Sequence, residues 1–157
     1  MNEFQTTSNS ESATQQLGNH IGHALEPGTV IALIGTLGSG KTRLTQAIAS
    51  VLEITEPVVS PTYTLCVPYT GRLQLLHMDA YRIASPEEVD ELDLFDQVAE
   101  GTVLIVEWAD RVESQLPEVD LRIEITPVTH ESRQIDLRAL TAKGQQLLSK
   151  VAQASSL

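Results

Sequence analysis

The chain has 157 residues and a mass of 17.1 kDa, the usual size of one domain, and its 41% hydrophobic and 20% charged residues exclude global disorder. Ten Lys plus Arg against 21 Asp plus Glu give a net charge of −11. This charge disfavours broad contact with a nucleic-acid backbone, so nucleic acid would have to be bound through a partner. The single Cys66 excludes an internal disulfide, and the lack of a secretory signal or of an apolar run near about 18 residues predicts a soluble cytoplasmic protein without membrane contact.

The N-terminal third predicts a helix, a buried strand and a second helix. Residues 1–9 are polar, and we expect them to be flexible. Ser8 and Glu11 have the spacing of a capping box at the start of a helix. The inward face of this helix is predicted to carry Leu17, Ile21, Ala24 and Leu25. Val30–Ile34 is a continuous apolar run typical of a strand buried on both faces, and residues 41–52 repeat apolar side chains at helical spacing.

The middle of the chain predicts strands, a short helix and a second buried strand. Residue types favoured in strands occur at Val58-Val59, from Tyr63 to Val67 and from Leu73 to Met78. The sequence Ser-Pro-Glu-Glu at 85–88 indicates a helix start. The inward side chains of that helix are predicted to be Val89, Leu92, Phe95 and Val98. Thr102–Val106 is a second continuous apolar run and predicts a central strand.

Two segments near the C-terminus alternate apolar and polar residues. Residues 121–125 and 135–139 follow this pattern, which predicts two antiparallel edge strands. A closing helix is indicated by Leu140, Leu147, Leu148 and Val151. The order of elements predicts an α/β fold of the P-loop NTPase kind, with a central, mostly parallel sheet flanked by helices, in one domain spanning residues 10–157.

A phosphate-binding loop is the strongest motif in the chain. Residues 35–42 fit G-x-x-x-x-G-K-[ST] and lie between a predicted strand and a predicted helix, the context that this motif requires. The glycines let backbone N–H groups converge on phosphate oxygens, Lys41 reaches the β and γ phosphates, and the Thr42 hydroxyl ligates Mg²⁺. The predicted nucleotide contacts are Leu37, Gly38, Ser39, Gly40, Lys41 and Thr42. The alternative is that residues 35–42 form a glycine-rich turn that binds no ligand. The absence of an Asn-Lys-x-Asp segment favours ATP over GTP.

Two acids follow apolar strand runs, where ligands of open α/β sheets bind. Asp79 and Glu107 are therefore candidate metal-facing or catalytic residues beside Lys41, and ordinary solvated acids are the alternative. His77 shares a strand face with Asp79, although a packed or hydrogen-bonded structural histidine is the simpler interpretation. Trp108 either covers the site or packs in the core.

Two further segments each have a functional and a plain interpretation. Ser60-Pro61-Thr62-Tyr63 is either a switch that senses the γ phosphate or a turn leading into a strand. Residues 87–96 contain six acids and no Lys or Arg. This run is either a solvated helix face or a docking surface for a basic partner.

Four motifs in this order resemble one family, the small bacterial P-loop ATPase TsaE of tRNA threonylcarbamoyladenosine biosynthesis. They are L-G-S-G-K-T at 37–42, S-P-T-Y at 60–63, H-x-D-x-Y-R at 77–82 and V-E-W at 106–108, and the similarity runs from about residue 10 to 150. Many members have Asp where Thr36 stands and Thr or Ser where Arg43 stands, so the rate of hydrolysis is open.

The resemblance implies ATP binding with Mg²⁺ on Thr42 and Glu107, and slow ATP hydrolysis with Lys41, Asp79 and Glu107 as catalytic residues. It implies partners, TsaB and TsaD, which modify adenosine 37 of tRNA, so that tRNA is met only through the complex. Thr14 and Arg133 would contact the adenine side of ATP. The switch or partner-facing residues would be Ser60, Thr62, Tyr63, Tyr81, Arg82 and Trp108. A small-molecule P-loop kinase and a non-hydrolysing ATP-binding regulatory module are the alternatives.

Overall fold

The computed structural model describes residues 1–36, 38–59 and 65–156. The strands are β1 Glu3–Ser8, β2 Val30–Ile34, β3 Cys66–Thr70, β4 Gln74–Asp79, β5 Val103–Glu107, β6 Leu121–Pro127 and β7 Arg133–Ala139. The α-helices are α1 Glu11–Ala24, α2 Lys41–Ser50, α3 Leu94–Ala99 and α4 Ala142–Ser155. Short 3₁₀ helices lie at Pro86–Leu92, Ala109–Arg111 and Glu113–Gln115. None of the helices in these ranges is long and apolar enough to cross a membrane.

The seven strands form one sheet in the order β1-β7-β6-β2-β5-β4-β3. The centre is parallel, because β2 pairs in parallel with both β5 and β6, and β5 pairs in parallel with β4. β3 and β4 are antiparallel at one edge, and β6, β7 and β1 are antiparallel at the other. The predicted α/β fold with a mostly parallel centre and antiparallel edges is confirmed, as are β2 and the pairing of β6 with β7.

Helices cover the two faces of the sheet and bury two apolar clusters. On one face, α1, α2 and α4 pack on a core whose fully buried members include Ile21, Ile31, Leu44 and Ile105. On the other face, residues from the 3₁₀ segments and α3 pack on the same central strands. β2 and β5 are buried on both faces, which explains why their sequences are continuous apolar runs.

Residues 3–8, within the N-terminal segment that we expected to be flexible, form β1, and β7 is therefore not an edge strand. β1 adds to β7 in antiparallel register, so backbone hydrogen bonds hold a segment that offers few apolar side chains.

The N-terminal cap of α1 also differs from the prediction. Ser10, not Ser8, caps α1, since its Oγ accepts from the Ala13 N–H at 3.1 Å. The Ser8 hydroxyl instead bonds the Thr14 hydroxyl at 2.7 Å.

The region after Ser85 is two short helices and not the single helix predicted. The Ser85 hydroxyl donates to the Glu87 carboxylate and caps no backbone N–H, and Asp93 adopts a left-handed conformation (φ +54°) that separates the 3₁₀ turn from α3. Phe95, predicted to point inward, is 60% exposed because of this break. Val58 and Val59 lie outside the strands, and β3 begins only at Cys66.

Candidate functional site

The loop between β2 and α2 contains two glycines with a left-handed backbone. Gly38 and Gly40 have φ of +77° and +108°, a region that residues with a Cβ rarely adopt. Apart from each glycine and its chain neighbours, no atom of the described residues lies within 4 Å of where a Cβ would stand at either position. Gly35 is different: a Cβ there would come within 2.6 Å of the buried Ser39 Oγ. Gly35 thus permits close packing against Ser39, and Gly38 and Gly40 shape the turn.

Lys41 is the first residue of α2 and is nearly buried, with 5% of its surface exposed. Its Nζ donates to the backbone oxygens of Gly35 at 2.6 Å and Thr36 at 3.0 Å, and it lies 4.4 Å from the centre of the Trp108 ring. Burial lowers the pKa of the Lys41 amine, while neighbouring carboxylates, led by Glu107, act to raise it. Two backbone carbonyl oxygens of the loop therefore hold the Lys41 amine in place.

Glu107 ends β5 and contacts side chains from two other elements. The Thr42 hydroxyl, in the first turn of α2, lies 3.3 Å from Oε1 and 3.2 Å from Oε2 of Glu107. Nε2 of His77, in β4, lies 2.5 Å from Oε2. Glu107 is 3% exposed and His77 is fully buried. The structure therefore brings both predicted metal ligands together and adds a histidine behind the carboxylate.

Asp79 lies beside Glu107, because the two residues are register partners on neighbouring parallel strands. Its carboxylate is buried and accepts from the Tyr81 N–H at 2.8 Å. Both acids thus lie at the carboxyl ends of their strands next to the loop, as the sequence predicted. Neither is a freely solvated acid.

An aromatic and cationic stack lies over the site. The rings of Tyr81 and Trp108 are 4.9 Å apart, and Trp108 has φ +57°, which turns its ring toward Lys41. Arg111 lies 5.3 Å and 5.8 Å from these two rings and donates to the Tyr81 backbone oxygen at 3.1 Å. The sequence did not predict a role for Arg111, because its position over the two rings depends on the left-handed backbone at Trp108. Arg82 is exposed beside this stack.

A cavity of about 600 Å³ adjoins the loop. It is lined by Asn9, Ser10, Glu11, Thr14, Gly38, Ser39, Gly40, Arg43, His130, Glu131 and Arg133. Arg133 Nε donates to the Ser39 backbone oxygen at 3.1 Å, which ties β7 to the loop. Arg43 pairs with Glu11 at 3.3 Å across the cavity. The two residues predicted for the adenine side, Thr14 and Arg133, therefore share one cavity with the loop.

The residues present fit Mg²⁺ bound together with a phosphate. Within the described ranges, no group of three or more His, Cys, Asp or Glu side chains is arranged to hold a metal ion by itself. The pair formed by Thr42 and Glu107 offers hydroxyl and carboxylate oxygens in direct contact. Mg²⁺ prefers oxygen ligands and commonly takes only one or two from protein, with the others from water and phosphate.

Some predicted residues lie outside the described ranges. They are Leu37, Ser60, Thr62 and Tyr63. The six acids of residues 87–96 are described, and all are exposed. Their two interpretations, a solvated face and a docking surface, both stay predictions.

Comparison with known proteins places the chain in a family. The family "Threonylcarbamoyl adenosine biosynthesis protein TsaE" matches residues 8–135. A Treponema pallidum protein named tRNA threonylcarbamoyladenosine biosynthesis protein TsaE is 39% identical over 82% of this chain and 95% of its own length. Proteins of the same name from Nostoc sp. and Bacillus subtilis are 40% and 38% identical, over 80% of this chain and 79% of theirs. The crystal structure of Bacillus subtilis YdiB matches with a TM-score of 0.84 and 28% identity, over 98% of this chain and 96% of that one. The resemblance seen in the sequence is confirmed: the chain belongs to the TsaE family.

Proposed function

We propose that this chain is the ATPase subunit of the machinery that forms threonylcarbamoyladenosine in tRNA. It binds Mg-ATP, hydrolyses it slowly, and uses the cycle to act on a partner complex of TsaB and TsaD homologues in the cytoplasm. Family membership supports the pathway, because the relatives from Treponema pallidum, Nostoc sp. and Bacillus subtilis are named for threonylcarbamoyladenosine biosynthesis.

The observation that carries the proposal is the meeting of Lys41, Thr42 and Glu107 at one end of the sheet. Lys41 supplies a cation for the β and γ phosphates, and its two carbonyl partners hold it in place until a phosphate replaces them. Thr42 and Glu107 supply oxygen ligands 3.2 Å apart. Mg²⁺ at this pair would neutralise phosphate charge, which an acidic protein otherwise repels.

The cavity beside the loop suits the rest of the nucleotide. Its volume of about 600 Å³ falls within the range of small-molecule sites. Thr14 offers a hydroxyl and Arg133 a guanidinium for the base and sugar, while the Arg43–Glu11 ion pair borders the same space. ATP then runs from this cavity, across Gly38 to Gly40, to Lys41.

Hydrolysis and coupling involve the residues around Glu107. The buried Asp79 is placed to orient a nucleophilic water or to act on the metal site from the neighbouring strand. Tyr81 and Arg111 stack with Trp108, whose ring lies 4.4 Å from the Lys41 amine, which suits a surface where a partner senses the nucleotide. A net charge of −11 fits tRNA contact through the complex and not by this chain itself.

The test is phosphate release from ATP with Mg²⁺, measured with and without the TsaB and TsaD homologues of the same organism. We expect slow release by the chain alone and a clear increase when both partners are present. ATP binding without release in either case would support the non-hydrolysing module instead. Transfer of the γ phosphate label to a metabolite and not to water would support the kinase.

A further inference from the structure

Two hydrogen-bond donors reach the Glu107 carboxylate from different elements. The Thr42 hydroxyl approaches from α2, and His77 Nε2 approaches from β4 at 2.5 Å. A hydroxyl carries one hydrogen, which Thr42 shares between Oε1 at 3.3 Å and Oε2 at 3.2 Å. His77 supplies a second donor, which bonds Oε2.

The sheet register explains why His77 reaches Glu107. His77 pairs with Ile105 on the neighbouring parallel strand, and Asp79 pairs with Glu107. Side chains two apart on a strand share a face, so the ring of His77 and the carboxylate of Glu107 lie diagonally on the face that α2 covers. The register of β4 against β5 fixes this contact.

The chemistry of the contact assigns the hydrogen to Nε2. A carboxylate only accepts hydrogen bonds, so the nitrogen facing it is the donor. Nδ1 of His77 is buried and has no hydrogen-bond partner among the described residues. The bond to Glu107 is therefore the hydrogen bond that holds the buried His77 ring among the described residues.

We propose that His77 is a positioning residue for the metal site, and this inference rests on the proposed function. By holding Oε2, the imidazole fixes the rotation of the Glu107 carboxylate and keeps it against the Thr42 hydroxyl before Mg-ATP arrives. Groups that hold a metal ligand in this way raise metal affinity about 10- to 100-fold. His77 is fully buried and bonds the Glu107 carboxylate, so in this proposal it acts through Glu107.

The experiment compares His77→Leu with His77→Gln. Glutamine can place its amide nitrogen near the position of Nε2 and keep the bond to Glu107, whereas leucine fills similar space without a donor. Calorimetric ATP titrations over a series of MgCl₂ concentrations, and in EDTA, give the Mg²⁺ dependence of binding. We expect His77→Leu to need about tenfold more Mg²⁺, with unchanged ATP affinity in EDTA. His77→Gln should recover most of this loss.

Two controls separate positioning from packing. Leu76→Val perturbs the same strand on the opposite face, in the other apolar cluster, so its Mg²⁺ dependence should match the wild type. Thermal unfolding by circular dichroism confirms that each variant is folded. If His77→Leu does not fold, His77→Asn replaces it, because asparagine is polar but too short to reach Glu107.

The possible results distinguish a wrong role for His77 from a wrong proposed function. Equal Mg²⁺ dependence in wild type and His77→Leu, or equal losses in His77→Leu and His77→Gln, would overturn the positioning role alone. Wild-type protein that binds ATP equally with and without Mg²⁺, or not at all, would overturn the proposed function and this inference with it.

Discussion

The Thr42 hydroxyl lies 3.2 Å from the Glu107 carboxylate, although 65 positions separate these residues along the chain. The contact arises because β2 and β5 are parallel neighbours, so the loop after β2 and the last residue of β5 reach the same edge of the sheet. The local conformation of neither residue requires this contact. The sheet order assembles the pair.

Replacing Glu107 should remove most of the benefit that Mg²⁺ gives to ATP binding. In Glu107→Ala the Thr42 hydroxyl loses its carboxylate partner and the metal loses a charged ligand, so we expect at least about a tenfold weaker affinity in Mg²⁺ and no change in EDTA. Calorimetry at several MgCl₂ concentrations measures both. Glu113→Ala, an exposed acid paired with Arg122, is the matched control. An unchanged Mg²⁺ dependence would remove Glu107 from the site.

Lys41→Ala should greatly weaken ATP binding. The variant loses the buried cation at the mouth of the loop, and charge-assisted bonds to phosphate are among the strongest in proteins. We expect a loss of about 100-fold, equivalent to about 3 kcal/mol. Equilibrium binding of a fluorescent ATP analogue gives the affinity. Lys150→Ala, at an exposed lysine paired with Glu26, should bind like the wild type. An affinity for Lys41→Ala within threefold of wild type would contradict the assignment of the loop.

Gly144→Ala should destabilise the fold by about 2 to 3 kcal/mol through overpacking. A Cβ at Gly144, near the start of α4, would stand 1.9 Å from the Asp120 backbone oxygen, and backbone cannot yield as a flexible side chain does. Urea unfolding followed by circular dichroism gives the free energy. The control is Gln146→Ala at an exposed position of the same helix. Equal stability of Gly144→Ala and wild type would show that α4 does not dock this closely.

The Cys66 thiol should alkylate more slowly in the native protein than in the unfolded chain at the same pH. Burial raises the pKa of this thiol above its ordinary value of 9.0, and only the thiolate attacks iodoacetamide. Because the folded pKa is the higher one, the stabilising contribution of this group is full below the unfolded pKa and is lost as pH rises through the folded pKa. Rates in buffer and in urea between pH 7 and 11 give both midpoints. A native midpoint below the urea midpoint would contradict this prediction.

Local patterns predicted the parts of the fold that neighbouring residues determine. The Val30–Ile34 strand, the glycine loop and the following helix need only apolar runs and glycine conformations, and all three lie where the sequence placed them. β1 was missed because its pairing partner, β7, lies about 130 positions away and its polar residues carry no apolar pattern. Only the long-range register makes it a strand.

The candidate site likewise contains residues that the sequence predicts and residues whose contacts depend on the fold. Lys41 and Thr42 follow from the motif, and Asp79 and Glu107 follow from their places at strand ends. The role of His77 could not be read from sequence, since its bond to Glu107 depends on how β4 aligns with β5. The position of Arg111 over two aromatic rings depends in turn on the left-handed turn at Trp108, which no residue type required.

The left-handed turn at Trp108 places a fluorescent side chain beside the Lys41 amine. Trp108 is the chain's single tryptophan, and its ring lies 4.4 Å from the Lys41 amine. Any movement of this charge toward a phosphate changes the electric field at the only indole in the molecule. We therefore expect intrinsic emission to change when a phosphate binds beside Lys41, which would follow binding without a dye or a labelled nucleotide.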